Sequence, residues 1–178
     1  LLGDGVPGFE RSQTVAAMPI HGCYAQYVCV PQRKLVPVPP GLDAAEAVAV
    51  VLNYITAYQM LNRSAKARTG QRMLIHGASG GVGTWAVQIA KALGAEVTAV
   101  CSARNAEMVR ALGADAVVDY TKEDFVDGDA RFDLVFDTIG NRSLSDFRRV
   151  LQPSGRFVSC SGGDSSWRWL LGLAQMSL

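Results

Sequence analysis

The chain has 178 residues, 49% hydrophobic and 19% charged, with 17 Lys plus Arg against 16 Asp plus Glu and a formal net charge of +1. That size and balance suit one globular domain with a small appendage and exclude a disordered chain. No basic run stands out, so no nucleic-acid surface is expected. The chain opens on Leu1 without the charged and apolar pattern of a leader, and no apolar run reaches the roughly 18 residues of a membrane span. The tail, residues 167–178, is apolar but short, and Arg168 interrupts it. It reads as a helix that packs on a surface outside this chain, and membrane contact is the lesser reading. Cys23, Cys29, Cys101 and Cys160 form no C-x-x-C pair and no metal cluster with His21 or His76. They read as reduced thiols, which places the protein in the cytoplasm.

Residues 1–40 hold six of the seven prolines. Two strand-like runs, 23–30 and 34–38, are separated by Pro31 and Gln32, and Pro39-Pro40-Gly41 closes the segment. Proline lacks an N–H donor and fixes φ, so short β pieces and turns are expected, the end of a separate β-rich unit. Residues 41–178 are expected to form a second domain. Asp43 stands three residues before Glu46, close to a capping box. Val48, Val51, Leu52 and Ile55 follow at helical spacing, which predicts a helix to about Leu61 with a break near Asn53.

From Gln71 onward the pattern alternates. Strands are predicted at 73–76, 96–101, 116–118, 132–136 and 156–160. Between them, Val82, Trp85, Ile89 and Leu93 mark one helix face, and Gly94 ends that helix. Ala106, Val109 and Leu112 mark a second helix, followed by Gly113. Leu144, Phe147 and Leu151 mark a third, which Pro153 and Gly155 terminate. Strands joined through helices of this length imply right-handed crossovers and a parallel sheet, hence a doubly wound α/β fold of Rossmann type.

The strongest chemical signal is His76-Gly77-Ala78-Ser79-Gly80-Gly81-Val82-Gly83, between the first strand and first helix of the alternating region. Aligned on Gly80 and Gly83, it reads Ala-x-Gly-x-x-Gly. Gly80 lets main chain approach a pyrophosphate, Gly83 lets helix pack on strand, and the helix N-terminus faces the phosphates. The plain alternative is a glycine-rich turn needed only for its backbone angles. No Gly-Lys-Ser/Thr follows, so this is not an ATPase phosphate loop. The second strand runs into Ser102-Ala103-Arg104-Asn105, about 20 residues past the glycines, where an NAD site places an acid on the ribose 2′-hydroxyl. Here stand a hydroxyl, a guanidinium and an amide, all able to donate to a 2′-phosphate, so NADP (NADPH) is favoured over NAD. The alternative for Arg104 is a solvated residue at a helix start.

The segment Val51-Leu52-Asn53-Tyr54-Ile55-Thr56-Ala57-Tyr58, the glycine turn, Leu112-Gly113-Ala114-Asp115, Val118-Asp119-Tyr120 and Asp137-Thr138-Ile139-Gly140 stand in the order seen in the zinc-free quinone oxidoreductases. The chain resembles that zeta-crystallin-like family of the medium-chain dehydrogenase/reductase superfamily over nearly its whole length. The resemblance implies a GroES-like β domain ending in residues 1–40, then a Rossmann domain cut before its last strand, and a homodimer at full length. It places Thr56 at the nicotinamide end of the cofactor. It places Ser79, Gly80, Gly81, Val82 and Gly83 at the pyrophosphate, and Ser102, Arg104, Asn105 and Tyr120 at the adenosine phosphate. Ile139, Gly140, Ser161 and Gly162 then fall at the nicotinamide ribose. Asn105 stands where some members carry a lysine, and Arg104 is a candidate substitute. Tyr120 also reads as an ordinary half-buried aromatic, and Thr56 as a helix residue bonded to its own backbone.

Val51–Ile55 lacks the cysteine that zinc-dependent relatives place there, and the four-cysteine lobe is absent, so no metal is expected. The resemblance then implies direct hydride reduction of a quinone or an α,β-unsaturated carbonyl, with no catalytic residue identified in this chain. The rival readings are a cofactor-binding fragment without turnover, an NADP-dependent alcohol dehydrogenase-like enzyme, and a membrane-associated relative.

Overall fold

A computed structural model describes residues 7–19 and 21–160. Ser161, Gly162 and the apolar tail lie outside the described residues. The chain divides into two compact units, 1–55 and 56–178. The composition break at 40/41 lies 15 residues before that division, which falls inside a helix.

In the first unit, strand β1 (Val15–Ala17) pairs antiparallel with β2 (Leu35–Pro37), Ala16 opposite Val36. The run 34–38 is thus a strand, whereas 23–30 is not. Its residues carry no regular structure, and Tyr24 and Tyr27 are fully exposed. A strand needs a neighbour's N–H and C=O groups, and the described ladder to β2 is made by 15–17 instead. Helix α1 (Ala44–Ala49) starts as expected. The Ala45 N–H donates to Asp43 Oδ2 at 2.9 Å, and the Asp43 N–H donates to Glu46 Oε2 at 3.4 Å.

There is no break at Asn53. The helix runs Ala44–Ser64 and loosens to π-type winding over Val50–Tyr54, tightens in α2 (Ile55–Tyr58), and loosens again over Gln59–Ser64. It closes with Ala65 N–H donating to Met60 C=O, five residues back, at 2.8 Å. These 21 residues are long and apolar enough to cross a membrane by length and composition, contrary to the expectation that no run is. A core helix passes the same test, and Ala57, Leu61 and Ala65 lie buried in the core of the second unit.

The second unit is built on a five-stranded parallel sheet. Its strands are β3 (Arg72–His76), β4 (Glu96–Cys101), β5 (Ala116–Asp119), β6 (Phe132–Asp137) and β7 (Leu151–Ser159), in the order β5-β4-β3-β6-β7. Side chains alternate between two cores, as a pleated strand requires. Met73, Ile75, Val97, Ala99, Leu134 and Phe136 face one side, while Leu74, Val100 and Val135 face the other. The first side is covered by α3 (Gly81–Ala92), α4 (Ala106–Ala111) and Leu61, the second by α5 (Leu144–Val150) with Phe125 and Val126. From β3 the chain winds outward to β4 and β5, then returns past β3 to β6. That reversal opens a crevice at the carboxyl ends of β3 and β6.

Two helix faces differ from expectation. The fully buried face of α3 is Gly83, Ala86, Val87 and Ala90, and the larger Val82, Trp85 and Ile89 pack at its flank. Small residues let the helix sit close to the sheet. Helix α5 ends at Val150, and Leu151 is already extended (φ −85°, ψ 145°) as the first residue of β7. Pro153 and Gly155 thus lie within an irregular stretch of β7, where the pairing with β6 shifts between Phe132 and Leu134.

Opposite the crevice, Lys91 Nζ donates to Ala95 C=O at 3.0 Å and to both oxygens of Asp115 at 2.8–2.9 Å. Asp115 Oδ2 also accepts the Val97 N–H at 2.7 Å. One carboxylate so ties the end of α3, the start of β4 and the turn before β5. The Lys91 ammonium, then the Val97 N–H, hold the Asp115 carboxyl below its ordinary range. A lowered folded-state pKa gives stability that is complete above the unfolded value of about 4 and is lost as pH falls through the folded one. Asp115→Asn is expected to cost about 1 kcal/mol or less, because solvent screens a part-exposed pair. Urea melts of both proteins at neutral pH and in acid check this: the difference should narrow in acid, and a constant difference would assign the loss to packing.

Candidate functional site

The glycine turn leaves β3 at its carboxyl end. Gly77 has φ +84°, a left-handed conformation that suits glycine. Its N–H and that of Ala78 donate to Val100 C=O at 3.2 and 3.1 Å, and its C=O accepts the Gly80 N–H at 3.1 Å. A Cβ on Gly77 would run into Thr138 Oγ1 and stand 2.7 Å from Ile139 Cδ1. A Cβ on Gly83 would meet the Gly77 carbonyl oxygen and stand 2.8 Å from Ala78 Cα. Gly83 therefore sets the helix–strand approach, as its place in the motif suggests. Gly77, which sequence reasoning left out of the site, is equally constrained.

Gly80 behaves differently. Its φ of −79° is open to any residue, and a Cβ there would meet only the Gly77 carbonyl oxygen, at 3.4 Å. Gly80 and Gly81 are exposed. Helix α3 is 12 residues long and begins at Gly80 with no side-chain cap, whereas α1 and α5 each carry a capping box. Its first-turn N–H groups, including those of Gly81, Val82 and Gly83, lack intrahelical partners by geometry. The rim so presents donors and a positive dipole end at an exposed surface.

Around that rim the other strands deliver their own turns. After β4, Asn105 Nδ2 donates to Ser79 Oγ at 3.1 Å and to Ser102 Oγ at 3.4 Å, so Ser79, Ser102 and Asn105 are brought together. Arg104 is exposed beside them. Tyr120 follows β5 and is 61% exposed, more than the half-buried aromatic of the plain reading. The sheet also brings an acid near this turn, since Asp119 stands in register with Cys101. Its Oδ1 is taken by the Thr121 N–H at 3.1 Å and the Thr121 hydroxyl at 2.8 Å, which leads in keeping the carboxyl below its usual range. Ile139 is exposed and Gly140, at φ +75°, partly buried after β6. Thr56 is partly buried in α2.

One feature was missed in the sequence. His76 Nδ1 and Asp137 Oδ1 lie 2.9 Å apart, both buried, at the ends of the neighbouring strands β3 and β6. The two residues are 61 apart in sequence and neither belongs to a metal motif, so only the strand pairing reveals them. Among the described residues no group of three or more His, Cys, Asp or Glu could hold a metal.

Comparison with known proteins agrees with this architecture. A family model described as "Zinc-binding dehydrogenase" matches residues 81–169. The chain belongs to this family, within the medium-chain dehydrogenase/reductase superfamily. It is 33% identical to the quinone oxidoreductase of Rattus norvegicus over 171 residues, covering 90% of this chain and 52% of that protein. It is 41% identical to a trans-enoyl reductase of Aspergillus terreus over 122 residues, 67% of this chain and 34% of that protein. A solved quinone oxidoreductase from Thermus thermophilus, determined also in complex with NADPH, superposes with a TM-score of 0.76 at 31% identity, covering 94% of this chain and 55% of that one. The chain thus spans about half the length of the quinone oxidoreductases it matches. The family's description names zinc.

The glycine geometry yields a contrast within one motif. Gly83→Ala is expected to destabilise the fold by about 1–3 kcal/mol, since backbone must move to admit the methyl, and Gly77→Ala should do likewise. Gly80→Ala should leave the melting temperature nearly unchanged. Thermal melts without ligand check all three. Equal losses at 80 and 83 would show that the whole turn is sterically closed.

Proposed function

We propose that this chain forms the cofactor-binding part of an NADPH-dependent oxidoreductase that reduces quinones or α,β-unsaturated carbonyls without zinc. The observation that carries the reading is the uncapped N-terminus of α3, presented by the Gly77–Gly83 turn at the strand-order reversal of a parallel sheet. Residues 79–83 would hold the pyrophosphate. Ser102, Arg104 and Asn105 would hold the 2′-phosphate, with Tyr120 beside the adenosine. Ile139, Gly140, Ser161, Gly162 and Thr56 would line the nicotinamide half. When bound, the reduced nicotinamide supplies the hydride, and the protein's own work is to orient it and exclude water.

Relatives named as quinone oxidoreductase and trans-enoyl reductase support a substrate already activated by a carbonyl. Such a substrate needs no Lewis acid for hydride addition. Under this reading residues 1–40 end a GroES-like β domain, the whole protein is a cytoplasmic homodimer, and no nucleic acid or membrane partner is involved.

Fluorescence titration is expected to show tighter binding of NADPH than of NADH. Arg104→Glu should shift the preference toward NADH through repulsion of the 2′-phosphate. Equal affinities in the unmodified chain would overturn the NADPH assignment, and turnover of a simple quinone by the full-length protein with NADPH tests the activity itself.

Gly80→Val separates anion binding from backbone shape. The φ of Gly80 accepts valine and the site above it is open, so the ligand-free fold should melt close to its normal temperature. NADPH affinity should fall about tenfold or more, roughly 1.4 kcal/mol. Unchanged affinity would remove the pyrophosphate from this turn.

A further inference from the structure

We infer that the His76–Asp137 pair is a positioning device for the non-adenosine half of the dinucleotide. Asp137 ends β6, is 1% exposed, and gathers four donors. Its Oδ1 accepts from His76 Nδ1 at 2.9 Å, from the Ile139 N–H at 3.0 Å and from the Gly140 N–H at 3.3 Å. Its Oδ2 accepts from the Gly140 N–H at 3.1 Å and stands 3.5 Å from Ser159 Oγ. Burial pushes the carboxyl up, but the His76 hydrogen bond and the two N–H groups outweigh it and leave it below the ordinary range. Both carboxylate oxygens accept backbone N–H groups, so Asp137 acts here as an acceptor and His76 Nδ1 is assigned as the donor facing it. Phe125 and Phe147, with ring centroids 5.1 and 6.1 Å from the imidazole, fix the ring plane.

The arrangement joins the ends of three strands: β3 through His76, β6 through Asp137 and β7 through Ser159. What it holds is the turn at Ile139 and Gly140, whose N–H groups would otherwise point elsewhere. Gly140 sits at φ +75°, so the turn has a defined shape to lose. A dinucleotide crossing the strand-order reversal puts its adenosine over β4 and β5, leaving its other half over β6 and β7. The turn held by Asp137 is on that second side, and the 102–105 turn is on the first. Loss of the His76 donor should therefore weaken contacts to the nicotinamide half and spare those to the adenosine half. A group needed only for folding would give no such split.

This inference rests on the proposed cofactor reading, and the test separates the two. NADPH and adenosine 2′,5′-bisphosphate, which lacks the nicotinamide half, are titrated against the unmodified chain and its variants. His76→Leu fills the ring's space without a donor, and His76→Asn places an amide N–H near the position of Nδ1. His76→Leu is expected to lower NADPH affinity about tenfold, the effect of losing a hydrogen bond to a charged group. Binding of the bisphosphate should stay within about twofold, and His76→Asn should recover most of the NADPH affinity. Should His76→Leu fail to fold, Asp137→Asn carries the same comparison, because its amide group cannot accept all of these donors. Equal losses for both ligands in a folded variant, or unchanged NADPH affinity, would overturn the positioning role. An unmodified chain that binds the bisphosphate but gains nothing from the nicotinamide half would also overturn it, while leaving the adenosine site standing. Binding of neither ligand would sink the cofactor reading and this inference with it.

Discussion

The peptide of Gly77 is the point on which the second unit turns. Its N–H is bonded to Val100 of β4, its C=O receives the Gly80 N–H, and Thr138 Oγ1 lies 3.4 Å from that same oxygen. The space in front of it is where the first turn of α3 must pass, and only glycine at 83 lets it. Central strand, neighbouring strands and first helix thus meet at one backbone group. A Cβ at Gly77 or Gly83 would strike packed neighbours, whereas one at Gly80 would meet a single oxygen at 3.4 Å. Gly77 and Gly83 are therefore structural, while Gly80 is open for contact.

Much of the second unit was legible in the sequence. The alternation of apolar strands with amphipathic helices gives the five parallel strands, and the glycine turn is locally complete, with strand, loop and helix adjacent in the chain. The capping box at Asp43 is equally local. Misjudged features depend on partners far away in sequence. The run 23–30 has strand-like residues but no ladder to join, and β1 was found only through its pairing with β2. Pro153 and Gly155 suggest a stop, yet an edge strand with a shifted register accommodates both. The deep face of α3 is mostly alanine and glycine, which carry little hydrophobic signal but permit close packing. The His76–Asp137 contact needs the β3–β6 register before it exists at all.

The two acidic anchors of the second unit act at opposite ends of the sheet. Asp115 is part-exposed and closes the amino-terminal end around Lys91 and the Val97 N–H. Asp137 is buried and closes the carboxyl-terminal end around His76 and the Ile139–Gly140 turn. Each carboxylate satisfies backbone donors that strand pairing leaves over, so the polar groups at both ends find protein partners rather than relying on solvent. The difference in burial sets their cost of loss. A screened carboxylate can be replaced with modest effect, whereas an unpaired buried one would leave several donors without acceptors.

The loosened helix has a geometrical consequence. In an α-helix, residues four apart drift by about 40° around the axis, so a row at every fourth position spirals away from a flat surface. Ala57, Leu61 and Ala65 are spaced by four and all three are buried. The wide winding over Gln59–Ser64 turns less per residue and so opposes that drift, in keeping with the burial of all three residues in one core. Removing one residue there would restore ordinary pitch but swing Ala65 round the axis, away from the point where its C=O accepts Arg156 Nη1 of β7 at 2.7 Å.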